Sequence, residues 1–237
     1  MSEQSLAVVM PCYNERATIE PIVERVLASP FTAEVIIVDD GSTDGTREIL
    51  QKLARDSRVQ VYEQPFNQGK GAALRRGFAE VRAPYAIVQD ADLEYDPNDY
   101  AVMIEPLLDG RADVVFGSRF QGQAAHRVLY FWHSIGNKVL TLLSNMFTDL
   151  NLSDMETCFK AFRKEVLDSI TVEEDRFGFE PEITAKVAAG GWRVFEVGIS
   201  YAGRTYNEGK KIGWRDGVRA IWCILKYNLW AAPRRSR

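Results

Sequence analysis

With 237 residues, 46% of them hydrophobic and 26% charged, the chain has an ordinary globular composition and enough length to fill one α/β core. A formal net charge of -4 argues against nucleic acid as the partner, although basic residues dominate from Ser200 to Arg237, where only Glu208 and Asp216 oppose Arg204, Lys210, Lys211, Arg215, Arg219, Lys226 and three terminal arginines. Three widely spaced cysteines fit neither a disulfide framework nor a zinc site, and neither a secretory leader nor an apolar run of about 20 residues is present. The expectation is a cytoplasmic protein that touches a membrane only peripherally, on its cytoplasmic face.

Leu6 to Met10 is a continuous apolar run closed by Pro11, the pattern of a parallel strand buried on both faces. Thr18 is placed to cap a helix whose stripe is Ile19, Ile22, Val23, Val26 and Leu27. Strands follow at Val35 to Val38 and Val59 to Tyr62. Helices follow around Ile49 to Leu53 and from Ala72 to Val81. Tyr85 to Val88, a helix from about Asp99 to Leu108, and Val114 to Gly117 continue the alternation, which predicts an open, mostly parallel sheet flanked by helices. In the second half, Val128 to Phe147 reads as a long helix, Cys158 to Phe162 and Val194 to Ile199 as strands, Glu180 to Ala189 as a helix, and Trp214 to Leu229 as a basic amphipathic helix whose pattern is more commonly that of a buried docking helix but also suits a lipid interface.

Such sheets bind ligands beyond the carboxyl ends of their strands, where the polar segments after Met10, Val38, Val88 and Phe116 converge. After Val88 stand Asp90, Asp92 and Glu94, spaced two apart; three carboxylates together call for a compensating cation, and oxygen ligands suit Mg²⁺ or Mn²⁺. Taken alone, the spacing fits an acidic corner in water equally well. Gln64 precedes Gly69 by five residues and Gly71 follows Lys70, so this is not a P-loop, and no strand leads into G-x-G-x-x-G. The converging loops instead suit a nucleoside diphosphate held through a metal. Tyr13 would stack on a base, Asp39 or Asp40 would accept from a base N–H or the ribose, Glu15 would accept from the ribose, and Lys70 and Arg119 would supply positive charge.

These segments resemble the family 2 glycosyltransferases of GT-A (Rossmann-like) fold, and within them the dolichyl- or polyprenyl-phosphate mannosyl- and glucosyltransferases. The matching motifs are V-V-M-P-C-Y-N-E at 8 to 15, I-I-V-D-D-G-S-T-D-G-T at 36 to 46, N-Q-G-K-G at 67 to 71, D-A-D-L at 90 to 93 and G-S-R-F at 117 to 120. The resemblance implies a single domain over 1–237, with a nucleotide-sugar-binding half at 1–120 and a mixed acceptor-side half at 121–237. Pro11, Tyr13, Asn14, Glu15, Asp39, Asp40, Lys70 and Asp90 would bind the nucleotide sugar, and Asp90, Asp92 and Glu94 the metal, with Asp92 foremost and Glu94 either a ligand or a holder of the loop.

In the second half, Asp154 to Phe159 looks like the acceptor-side motif, with Cys158 where glycine is usual. Arg204 and Lys211 look like phosphate contacts alongside Arg119. The implied reaction is an inverting transfer of a hexose, from UDP-glucose first or GDP-mannose next, to a polyprenyl or dolichyl phosphate. Asp92, Arg119 and Asp154 are the catalytic candidates. A hydroxyl acceptor would instead need Asp154 or Glu156 as base. A non-catalytic nucleotide-sugar-binding protein is the rival from another class.

Overall fold

The computed structural model describes residues 5–121, 127–128, 130–203 and 214–230. Seven strands form one sheet: β1 (Leu6–Cys12), β2 (Thr32–Asp39), β3 (Val59–Glu63), β4 (Tyr85–Val88), β5 (Val114–Ser118), β6 (Lys160–Arg163) and β7 (Val194–Gly198), in the order β3-β2-β1-β4-β6-β5-β7. β1 pairs in parallel with β2 and β4, β2 with β3, and β5 with β7, whereas β6 runs antiparallel between β4 and β5. The apolar run of β1 is fully buried, as its sequence requires. The antiparallel insertion was not legible, because a strand buried on both faces reads the same in either direction.

The helices are α1 (Ile19–Ala28), α2 (Thr46–Leu53), α3 (Lys70–Phe78), α4 (Tyr100–Leu108), α5 (Phe131–Thr148), α6 (Lys164–Ser169), α7 (Phe179–Gly190) and α8 (Trp214–Leu225), which continues as a π-helical turn over Lys226–Trp230. α6 is a short helix that the periodicity did not announce. Thr18 sits at the start of α1, but its hydroxyl bonds Glu15 Oε2 at 2.9 Å instead of capping a helical amide. α3 packs on β1 and β2, α4 on β5 and β6, and α5 lies against α7 and α8.

Two features place the site. Gly69 (φ +107°) and Gly71 open α3, and a Cβ on either would overlap the backbone carbonyl oxygens of Asp175 and Glu174 respectively. Their missing side chains therefore admit the 173–177 loop, fixed by the Ala72 N–H to the Asp175 carbonyl at 3.0 Å. The second feature is α5, which packs Leu140, Leu143 and Phe147 on the core yet also turns polar residues inward. Its buried residues are the polar Asn137, Thr141 and Ser144, while Phe131, Trp132, Val139, Leu142 and Met146 face outward and are exposed. Asn137 and Thr141 turn inward to partners, Asn137 Nδ2 donating to Asp154 at 3.1 Å and Thr141 Oγ1 accepting from the Met155 N–H at 3.1 Å, whereas the buried Ser144 hydroxyl has none among the described residues.

Candidate active site

A cavity of ≈ 860 Å³ opens at the carboxyl edge of the sheet. Pro11, Tyr13 and Glu15 after β1, Asp40 after β2, Lys70 at the head of α3, Asp90, Asp92 and Glu94 after β4, and Arg119 after β5 all line it. Segments far apart in the chain thus meet where the alternation of strands and helices required. Arg204 and Lys211 lie outside the described residues.

Two candidates from the first half are not in the lining. Asp39 is fully buried and holds its own loop, accepting from the Ser42 N–H and from Arg47 Nε at 2.7 Å. Asn14 (φ +52°) likewise serves the loop, its Oδ1 accepting from the Thr43 N–H at 2.8 Å. A buried carboxylate with a bidentate local role and an asparagine in a left-handed turn both brace the loops beside the cavity. Asp40 also works on its neighbours, accepting from the Gln68 and Gly69 N–H groups at 2.7 Å each. Burial pushes its carboxyl above the ordinary range against the pull of those two amides.

Asp90, Asp92 and Glu94 are separated by their partners. Asp90 lies 3.1 Å from Lys70 Nζ, which also meets Glu180 at 2.9 Å. Burial opposes the charge on Lys70, but Asp90, Cys158 and Glu180 override it and raise its pKa well above the usual value. Asp92 accepts from the Glu94 N–H at 3.0 Å, and Glu94 accepts from the Tyr201 hydroxyl at 2.7 Å. Among the described residues no group of three acidic, histidine or cysteine side chains is gathered to hold a metal, so the expected three-carboxylate clamp is not formed. Glu94 ties the acidic loop to the segment after β7, a tie repeated by the Ala202 N–H to the Glu94 carbonyl at 2.9 Å. The donor set that remains, Asp92 with Asp90 beside it, fits an Mg²⁺- or Mn²⁺-type ion completed by diphosphate oxygens and water, because such ions commonly take only one or two carboxylates from the protein.

Arg119 and Asp154 form a buried ion pair, with Nε and Nη2 at 2.7 and 2.8 Å from the two carboxylate oxygens. The side chain of Asp154 is fully buried, also accepts from the Arg119 N–H and Asn137, and is absent from the cavity lining. Burial would raise its pKa, yet the Arg119 charge and these hydrogen bonds hold it below the usual carboxylate range. Its two oxygens hold Arg119, which reaches the cavity over the ring of Tyr201 at 5.2 Å.

Glu156 does line the cavity, and its Oε1 is buried with no hydrogen-bond partner. Lys160, fully buried beneath, donates to the carbonyls of Met155 and Thr157. Sequence reading missed Arg176, Phe177, Glu180, Tyr95 and Tyr201, which also line the cavity. The only hint of the first three was the Gly69-Lys70-Gly71 turn, whose missing side chains admit the loop that carries Arg176 and Phe177. The remaining wall is built by α5 and α8, through Trp132, His133, Gly136, Leu140, Gly217 and Ala220.

The model of the glycosyl transferase family 2 matches residues 7–171. Glycosyltransferase AglJ of Haloferax volcanii is 30% identical over 198 residues, which are 83% of this chain and 63% of AglJ; the chain thus spans less than two thirds of that relative. Polyprenol monophosphomannose synthase of Mycolicibacterium smegmatis is 29% identical over 218 residues, 89% of this chain and 82% of that one. Among solved structures, glucosyl-3-phosphoglycerate synthase from Mycobacterium tuberculosis, crystallised with Mn²⁺, UDP and glucosyl-3-phosphoglycerate, superposes with a TM-score of 0.72 over 95% of this chain and 80% of that one. At 21% identity that likeness is one of fold, and the fold is GT-A.

Proposed function

We propose that this chain, which belongs to glycosyl transferase family 2, transfers a hexose from a nucleotide sugar to a polyprenyl or dolichyl phosphate. One observation carries the acceptor half of the reading: the cavity joins the acidic loop after β4 to α5, which bears exposed apolar residues and packs against α8, which bears others. A phosphate could reach the sugar from that side while its prenyl chain stays on apolar surface. Phe131, Trp132, Val139 and Leu142 of α5, with Val218, Ile221 and Trp222 of α8, make an exposed apolar face of the kind that meets a partner or a lipid interface. Arg219 and Lys226 stand among them. No described helix is long and apolar enough to cross a membrane, so contact would be from the surface.

In this reading Tyr13 and Asp40 bound the base and ribose end, Lys70 fixes Asp90, and Asp92 with Asp90 holds a divalent ion against the diphosphate. Such an ion, when bound, would neutralise charge on the departing nucleoside diphosphate. Arg119, oriented by Asp154 and joined by Arg176 of the cavity wall, receives the acceptor phosphate. Arg204 and Lys211 are proposed as further phosphate contacts. One phosphate oxygen of the acceptor forms the new bond to the sugar C1 as the bond from C1 to the nucleoside diphosphate breaks, with inversion. An acceptor that is already an anion needs no base, which agrees with Asp154 being sealed beneath Arg119.

UDP-glucose is the donor placed first, on the resemblance of the second half to the glucosyl branch, and GDP-mannose second, in line with the name of the mycobacterial relative. The test is incubation with each donor, Mg²⁺ or Mn²⁺, and a short-chain polyprenyl phosphate, followed by mass spectrometry of the lipid. A hexosyl-phosphoryl lipid is expected with one donor. A folded protein that makes no such lipid with either donor refutes the reading.

A further inference from the structure

We propose that Glu156 is a sugar-recognition residue: its carboxyl, set in the cavity wall with Oε1 buried and without a protein partner, exchanges hydrogen bonds with a hydroxyl of the donor hexose. The proposal rests on the donor reading given above.

The argument begins with what an unpartnered buried oxygen costs. Leaving a buried polar atom unsatisfied is unfavourable, and such atoms in folded proteins generally have a partner once the ligand is bound. Glu156 Oε1 is one of the few buried side-chain atoms without one, and it belongs to a residue of the cavity wall. The ligand that completes it must offer hydrogen bonds without bringing negative charge. A second anion would be set against the Glu180 carboxylate that already acts on Glu156, and Lys160 beneath is taken up by the Met155 and Thr157 carbonyls. A hexose, neutral and rich in hydroxyls, is suitable.

Position in the cavity is consistent with this. In the proposed reading Tyr13 and Asp40 bound the nucleotide and Asp92 meets the diphosphate, while Glu156 belongs to the segment that leads from Asp154, the partner of Arg119, into β6. Between the diphosphate and the acceptor phosphate lies the transferred sugar, so a wall residue there meets the hexose.

The protonation state matches this role. Burial first, and the Glu180 carboxylate of α7 next, push the Glu156 carboxyl above its ordinary value; Asp154 adds to this, while Lys160 of β6 and Arg119 beyond β5 pull the other way. A neutral carboxyl is both donor and acceptor, as a sugar hydroxyl is. Glutamine offers the same pair of functions, which separates recognition from base catalysis.

The experiment compares dissociation constants for UDP and UDP-glucose, and in parallel GDP and GDP-mannose, by calorimetry with Mg²⁺ in the wild type, Glu156→Ala and Glu156→Gln. Nucleotide binding reports that each variant is folded; the ratio of the two constants isolates the sugar. For the pair the protein accepts, Glu156→Ala is expected to shift that ratio about tenfold against the nucleotide sugar while leaving the nucleoside diphosphate constant unchanged, and Glu156→Gln to keep the ratio within about twofold. An unchanged ratio in Glu156→Ala overturns the inference. So does a Glu156→Gln variant whose ratio falls as far as that of Glu156→Ala. If the wild type binds neither pair, the donor reading itself fails. If it binds both members of one pair yet makes no lipid product, the acceptor reading fails and the inference about the sugar stands on its ratio alone.

Discussion

Replacing Arg119 by methionine removes the guanidinium and keeps much of the side chain's bulk, so Asp154 is left as a fully buried carboxylate. It would lose its contacts to Nε at 2.7 Å and Nη2 at 2.8 Å, and keep only the backbone N–H of residue 119 at 3.1 Å and Asn137 Nδ2 at 3.1 Å. Breaking one side of a buried pair costs about 3–5 kcal/mol; the two donors that remain place this case near the lower end, at about 3 kcal/mol. For a domain of this size, each kcal/mol moves the unfolding midpoint by roughly 2–4 °C, so the expected loss is about 6–12 °C. Thermal unfolding followed by circular dichroism at neutral pH reads it directly. The double variant Arg119→Met with Asp154→Leu replaces the pair by apolar groups and is expected to regain more than half of the loss. An Arg119→Met protein as stable as the wild type, or a double variant no better than the single, refutes the view of Asp154 as the buried mount of Arg119.

Glu174 is buried and receives Arg219 Nη2 at 2.5 Å, Lys226 Nζ at 3.1 Å and the Tyr227 hydroxyl at 2.9 Å. Burial opposes its charge, but these bonds hold its pKa down at about 2. A depressed carboxylate stabilises fully above its unfolded value near 4.5 and loses that contribution as pH falls toward 2, so Glu174→Gln should flatten the stability profile in that window; equal slopes in the two proteins count against the clamp. Gly71→Ala drives a Cβ into the Glu174 carbonyl and should cost about 1–3 kcal/mol, together with weaker nucleoside diphosphate binding because the loop bearing Arg176 is displaced. Calorimetry and denaturant unfolding on one preparation check both parts. Leu142→Glu with Trp222→Glu places charge on the exposed apolar face of α5 and α8, and should reduce co-sedimentation with anionic vesicles while leaving nucleotide binding unchanged.

Much of this was readable in the chain because its apolar runs are strictly buried ones. Leu6 to Met10, Val35 to Val38 and Ala86 to Val88 read as strands buried on both faces, and their alternation with helices predicted which loops would meet. Residue type alone does not distinguish a carboxylate that faces a ligand from one that braces a loop. Asp39 and Asp40 are neighbours, yet only Asp40 reaches the cavity lining, since alternate residues of an extended chain point to opposite sides. Asp154 and Glu156 are separated the other way: Asp154 turns in to Arg119 and Glu156 out to the cavity. The orientation of α5 was equally hidden, for its apolar stripe fits a core as well as a lipid-facing surface. The inward partners Asp154 and Met155, supplied by a later segment, decide it.

The central claim is that the nucleotide sugar gives its hexose to a lipid phosphate. It is tested most directly by nucleoside diphosphate release from the intact protein with donor and Mg²⁺, comparing a polyprenyl phosphate with the same polyprenol lacking its phosphate. Release that depends on the phosphorylated lipid, and falls at least a hundredfold in Asp92→Asn with its folding unchanged, is the predicted result, on the order expected for losing one electrostatic contact to the reacting groups. Equal release with the free alcohol, or full activity in Asp92→Asn, contradicts it.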